Sequence, residues 1–161
     1  MKKLIPVVAL VVLAGAATAH AQGFGYRGVG PRFGLSVDPD QVHVGMHVDF
    51  GDVARQVRFQ PNFELGFGDG LTTGAFNFDM QYVFRRSWDV WAPYLGGGLG
   101  VNHFESNNDG FPDRGRTESA VNLMGGIEKY ISARDRLFFE AKVGVIEAPD
   151  FKLTMGWTFG S

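Results

Sequence analysis

The chain has 161 residues, a formal net charge of −2, no cysteine, 45% hydrophobic residues, 23 glycines and 15 phenylalanines. That length makes one domain the default. The lack of cysteine excludes a disulfide framework, a thiolate metal centre and a lipoprotein anchor, and no basic block or stripe offers a footprint for nucleic acid.

The chain opens with Met1-Lys2-Lys3, a short basic start. Leu4 to Ala14 is an apolar run interrupted only by Pro6, and Ala19-His20-Ala21 fits the small-residue cleavage pattern. Residues 1–21 are therefore expected to be a secretory signal peptide, with Gln22 opening the mature chain. The apolar run is short for a transmembrane anchor, and no stop-transfer flank follows it. Beyond residue 21 no apolar stretch is long enough to span a bilayer as a helix, so any membrane crossing must be made by strands.

Residues 22–31, QGFGYRGVGP, read as a Gly-rich lead-in, and residues 32–161 as the folded domain. The domain divides into eight expected strands at 32–38, 41–50, 56–68, 72–85, 90–104, 117–131, 136–147 and 150–159. Turn chemistry separates them: Asp38-Pro39-Asp40, Gly51-Asp52, Asp69-Gly70, Arg86-Ser87, Ala133-Arg134-Asp135 and Pro149-Asp150. Only the connection over about 105–116 is long. Most strands reach or exceed the roughly 9–11 residues that a tilted membrane strand requires. Pro61 sits mid-strand, where its missing donor predicts a bulge.

The stretch FNFDMQYVF, 76–84, states the pattern most plainly. Phe76, Phe78, Met80, Tyr82 and Phe84 share one parity, and Asn77, Asp79 and Gln81 the other. Strict alternation describes a strand with two unlike faces. The same division recurs throughout. Val42, Val44, Met46 and Val48 oppose His43, His47 and Asp49. Leu137, Phe139 and Val143 oppose Glu140 and Lys142. Phe151, Leu153, Met155 and Trp157 oppose Lys152 and Thr154.

Eight antiparallel strands with short turns close naturally into an up-and-down barrel, whose interior side chains just fill. An inward apolar face would crowd Phe, Trp, Met and Leu from every strand into that space. The glycines sort onto the polar parity instead: Gly34, Gly45, Gly66, Gly96, Gly98, Gly100, Gly126, Gly144 and Gly156, with Gly74, Gly97 and Gly125 as exceptions. Small residues belong where room is short, so the polar face is expected inside and the apolar face outside, against lipid. A closed barrel satisfies its backbone there without water. With the N-terminus on the periplasmic side, Tyr82, Phe84, Trp88, Trp91, Trp157 and Phe159 gather as a lower aromatic girdle. Phe67, Phe76, Phe104 and Phe151 form an upper one. Lys129 is the one cation near the lipid face, placed low enough to snorkel.

The segments WAPYLGGGLGV (91–101), NLMGGIEKYIS (122–132) and RLFFEAKVG (136–144) resemble the last strands of small outer-membrane β-barrels of the OmpA and OmpX type. The resemblance spans essentially the mature chain through loose, compositional motifs. It implies the Gram-negative outer membrane, insertion by the barrel-assembly machinery, outer-membrane lipid as surroundings, and a role in envelope integrity or surface contact. It carries over no catalytic residue. The sequence departs from the family in ending Phe159-Gly160-Ser161 rather than on an aromatic, and in having three short surface loops of four.

Three constellations bear on chemistry. Glu105, Asn107, Asp109, Gly110 and Asp113 resemble a calcium loop, with hard oxygen ligands at alternate residues before a glycine turn. Arg116 stands where an EF-hand needs Glu, and a solvated, turn-rich loop has the same composition. His43 and His47 share a face but lie roughly 13 Å apart along a strand, too far for one metal. His47 and Asp49 are about 7 Å apart, spaced for an acid–base pair or for an interior polar network, since buried charge must be paired. Gly96 to Gly100, GGGLG, lacks the Lys-Ser/Thr of a phosphate loop and opens no helix. Arg58, Lys142 and Lys152 are expected to pair inside with Asp49, Glu64, Asp79, Glu128 and Glu140.

The reading is all-β: an eight-stranded antiparallel transmembrane barrel with a filled polar interior. It is expected to act as a structural or surface-interaction protein, without enzyme activity or cofactor and not as a general porin. Two alternatives stay open. One is a soluble periplasmic lipocalin-like barrel with an apolar ligand inside, and the other is a small outer-membrane lipid-modifying enzyme.

Overall fold

The computed structural model describes residues 23–68, 70–85, 90–106, 115–146 and 149–161. The expected signal segment, the expected Arg86-Ser87 turn and most of the long connection lie outside these residues. The strands are β1 (Phe24–Val37), β2 (Gln41–Ala54), β3 (Val57–Gly68), β4 (Leu71–Val83), β5 (Trp91–Ser106), β6 (Arg116–Tyr130), β7 (Arg136–Ile146) and β8 (Phe151–Gly160). Each pairs antiparallel with its sequence neighbour. β8 returns to β1 through Val29↔Phe159 to Val37↔Phe151 and closes the barrel. Closure leaves the sheet no edge. Both chain ends of the barrel lie at one rim, the terminal end, and the opposite rim is the loop end.

The expected lead-in is part of the wall, because β1 begins at Phe24 rather than at 32. Its glycines belong to a crowded inner surface. A Cβ on Gly28 or Gly30 would run into the β8 carbonyls of Phe159 and Trp157. The turn expected at Gly51-Asp52 is also displaced. Gly51 adopts φ 70° inside β2, the pairing resumes at Asp52↔Arg58, and the chain reverses at Arg55-Gln56 with Gln56 at φ 65°. The left-handed glycine absorbs a register shift here, where in sequence it reads as a hairpin. Opposite Pro61 the β2–β3 ladder breaks, between His47↔Asn62 and Asp52↔Arg58. The extra residue lies on β2, while Pro61 keeps register with Phe78 of β4.

Parity is sorted as the alternation requires. Outward side chains such as Phe33, Leu95, Leu123 and Leu153 are exposed, Leu95 at 60%. Inward ones such as Arg32, Glu64, Asp79, Gln81 and Glu140 are buried, Asp79 completely. At the terminal end the outward aromatics touch one another: Tyr82 and Phe84 with ring centroids 4.9 Å apart, and Trp157 and Phe159 at 5.8 Å.

Two large aromatics break the pattern by pointing inward. Tyr94 and Phe138 are both buried, beside Val83 and Ala92. Each faces a glycine across the ladder, Tyr94↔Gly126 and Phe138↔Gly156. A Cβ on either glycine would occupy ring space. Gly126→Val should therefore overpack the wall and cost about 1–3 kcal/mol. Outward Gly125→Ala meets only a flexible Leu95 methyl at 3.1 Å and should stay within about 0.5 kcal/mol. Urea unfolding midpoints of the two variants measure the difference, and equal midpoints would contradict this packing.

Candidate functional site: the charged barrel interior

Period-two geometry delivers one polar row per strand to the inside. Among the described residues, those rows carry five buried carboxylates (Asp49, Glu64, Asp79, Glu128, Glu140) and five buried cations (Arg32, Arg58, Arg136, Lys142, Lys152). They divide into two groups, each balanced in charge.

The group toward the loop end is built around Glu64 and Glu140. Arg32 spans both, Nε lying 2.8 Å from Glu64 Oε1 and Nη2 2.8 Å from Glu140 Oε1. Lys152 Nζ sits 2.7 Å from Glu64 Oε2. Lys142 Nζ sits 2.5 Å from Asp79 Oδ2 and 3.7 Å from Glu140 Oε1. Asn62 Nδ2 donates to Asp79 Oδ2 at 2.7 Å, and Asn77 Nδ2 to Asn62 Oδ1 at 3.0 Å.

The group toward the terminal end joins two arginines to two carboxylates. Arg136 Nη1 is 2.8 Å from Asp49 Oδ2, and Arg58 Nη2 is 2.7 Å from Glu128 Oε2. Asp49 Oδ1 also accepts the Gly51 amide at 2.7 Å, which ties the group to the β2 irregularity. Gln81 links the two groups. Its Oε1 accepts from Arg58 Nη2 at 2.6 Å, and its Nε2 donates to Glu140 Oε2 at 3.0 Å. The inward aromatics support the guanidinia: Arg58 lies 5.7 Å from the Tyr94 ring centre and Arg32 5.8 Å from that of Phe138. The Tyr94 hydroxyl donates to Glu140 Oε2 at 3.0 Å.

Below the second group, the terminal end opens as a polar mouth of about 560 Å³ lined by Arg27, Asp52, Arg85 and Arg134 among others. A bidentate pair spans it, Arg85 to Asp52 at 2.6 and 2.7 Å.

The sequence candidates separate as follows. Arg58, Lys142 and Lys152 pair with the carboxylates expected for them. Glu128 and Glu140 both face inward, yet they serve different groups: Glu128 meets Arg58 of β3 and Arg136 of the adjacent β7, and Glu140 meets Arg32 of β1 and Lys142 of its own strand. His47 and Asp49 do not pair: His47 Nε2 lies 2.8 Å from Thr158 Oγ1, and His43 Nε2 lies 3.0 Å from Thr154 Oγ1. Gly96, Gly98 and Gly100 line the inner wall, where a Cβ would meet the β4 backbone, Asp79 Oδ1 and Asn77 Oδ1 in turn. Of the calcium-loop candidates, Glu105 is the last residue but one of β5, its carboxylate 3.4 Å from His103 Nε2. Asn107, Asp109 and Asp113 lie outside the described residues. Sequence reasoning missed Arg32, Arg136 and Tyr94. Parity with Gly34 and Ser36, and with Glu140 and Lys142, marks the two arginines as inward.

A closed eight-stranded antiparallel barrel with an apolar exterior and a charged interior is the fold of small outer-membrane β-barrels, and this chain has that fold. It is similar in structure to the N-terminal β-barrel domain of Pseudomonas aeruginosa OprF, with TM-score 0.68 and 13% identity over 87% of this chain and 100% of that one. Neisserial surface protein A matches with TM-score 0.68 and 13% identity over 87% of this chain and 98% of its own. Ail, the attachment invasion locus protein of Yersinia pestis, matches with TM-score 0.53 and 13% identity over 86% and 99%. No protein-family model and no curated protein sequence matches the chain.

Charge balance makes each ion pair interdependent with its partner. Asp79→Leu or Lys142→Met alone should strand a buried charge and cost about 3–5 kcal/mol, whereas the double variant should recover most of that loss. Equilibrium unfolding of the four proteins gives the coupling energy. Additive losses would contradict the pairing.

Proposed function

We propose that the protein is an outer-membrane β-barrel with a plugged polar interior, acting as a structural or surface-contact element of a Gram-negative envelope rather than as a general porin. The observation that carries this reading is the two-faced wall. Large apolar side chains cover the outside of every strand, while ten mutually neutralising ions occupy the inside. Strands of 10–16 residues match the roughly 9–11 needed to cross a bilayer at a tilt. The periplasmic side is then the terminal end, where Tyr82, Phe84, Trp91, Trp157 and Phe159 gather, and the barrel-assembly machinery inserts the chain.

A lipocalin-like barrel would carry its apolar residues inward and its charges outward, which is the reverse of what is seen. A lipid-modifying enzyme draws no support from His43 and His47, whose Nε2 atoms meet threonine hydroxyls and whose buried Nδ1 atoms meet no acidic or serine partner. Surface contact also fits two similar structures, one of a surface protein and one of an attachment invasion protein.

Expressed with its leader, the protein should fractionate with the outer membrane and require detergent for extraction. Its folded and boiled forms should migrate differently on a gel. Recovery as a detergent-free periplasmic monomer would overturn the proposal. In planar bilayers it should give no large, stable single-channel current, because eight strands leave room for side chains but not for a porin-sized channel.

A further inference from the structure

One outward residue fits neither the apolar exterior nor the interior network. Across the outward rows between the two aromatic rims, Lys129 of β6 is the single ionised side chain among the described residues. It pairs across the ladder with Trp91, its Nζ 5.8 Å from the ring centre, and no described carboxylate pairs with it. Lys129 is half-buried, so its stem lies along apolar wall while its head reaches the level of the aromatic rim.

The wall above Lys129 is indented. Ile127 and then Gly125 follow on the outward row of β6, Gly125 faces Ala141 of β7, and Leu95 and Leu153 flank that pair. Gly125 and Ala141 are small side-by-side neighbours and form a low spot between the larger Leu95, Ile127 and Leu153. The resulting trough has a volume of about 1120 Å³ and an almost wholly apolar lining, the scale of sites that hold small molecules (roughly 300–1,000 Å³). Its lower edge is at Pro93 and Ile127, one outward position above Trp91 and Lys129, about 7 Å along the strand.

We infer that Lys129 and this trough together form a site for an anionic glycerophospholipid. The headgroup phosphate would sit on Lys129 beside Trp91, and one acyl chain would lie over Gly125 and Ala141. The two features are complementary to one amphiphile: a cation at headgroup level, and directly above it an apolar trough that crosses the wall from Pro93 and Leu95 by way of Gly125 and Ala141 to Leu153 and Leu35. The inference rests on the membrane reading above, with the terminal end at the headgroup level of one leaflet.

The test uses the full barrel carrying W88F and W157F, so that Trp91 is the only reporter. It is reconstituted in phosphatidylcholine vesicles containing either brominated phosphatidylcholine or brominated phosphatidylglycerol with the same chains. Brominated phosphatidylglycerol should quench Trp91 with an apparent affinity about fivefold higher, the contribution of one Lys facing anionic lipid. K129Q should bring that ratio to about one. G125L, which fills the trough and leaves Lys129 in place, should weaken quenching by the anionic lipid without preventing insertion. Equal quenching by the two lipids in the parent, or selectivity that survives K129Q, overturns the site while leaving the membrane reading intact. Failure of the parent to insert into either vesicle, seen as no quenching and no heat-modified band, overturns both.

Discussion

The structure depends on keeping ten buried ions neutral inside a barrel too narrow to hydrate them freely. An ion taken out of water costs several kcal/mol even after relaxation, and only close partners offset that cost. The interior meets this with direct contacts, Arg32 to Glu64 and Glu140 at 2.8 Å and Arg58 to Glu128 at 2.7 Å among them. Each group balances separately, so neither half of the barrel relies on long-range compensation. Once this network is inside, the apolar parity has only one place to go. The exterior character, and with it the membrane reading, follows from the interior.

Space sets the second constraint, and glycine meets it. The inner wall holds arginines, glutamates and two aromatic rings side by side, and the backbone opposite them carries no side chain. Tyr94 against Gly126 and Phe138 against Gly156 are the clearest pairs. Gly98 and Gly100 leave room for Asp79 and Asn77 in the same way. These rings also cover the guanidinia of Arg58 and Arg32, so the bulky residues support the charges and fill the gaps between them.

The strand pattern was legible from alternation alone, because a half-buried strand writes its two faces into every second residue. The inward assignment was legible from the glycines. The start of β1 was not, since a Gly-rich wall and a Gly-rich linker have the same composition and differ only in what lies across the ladder. The β2–β3 turn failed for a related reason: Gly51 supplies a left-handed residue to a register shift as readily as to a hairpin. The ion partners were partly hidden too. Closing eight tilted strands brings Arg32 to Glu140 and Lys142 to Asp79 across the interior, at separations in sequence that no local pattern encodes. Tyr94 and Phe138 belong to neither row read from the sequence, although their parity with Gly96 and Glu140 marks them as inward.

The central claim is that the polar parity faces a closed interior and the apolar parity faces lipid. The chain contains no cysteine, so single cysteines at successive positions from Phe76 to Tyr82 can each carry a spin label in reconstituted vesicles. Collision rates with oxygen, which partitions into lipid, measure the exposure of each position directly. The account predicts high oxygen access at Phe76, Phe78, Met80 and Tyr82 and low access at Asn77, Asp79 and Gln81. The opposite alternation, or no alternation at all, would contradict it.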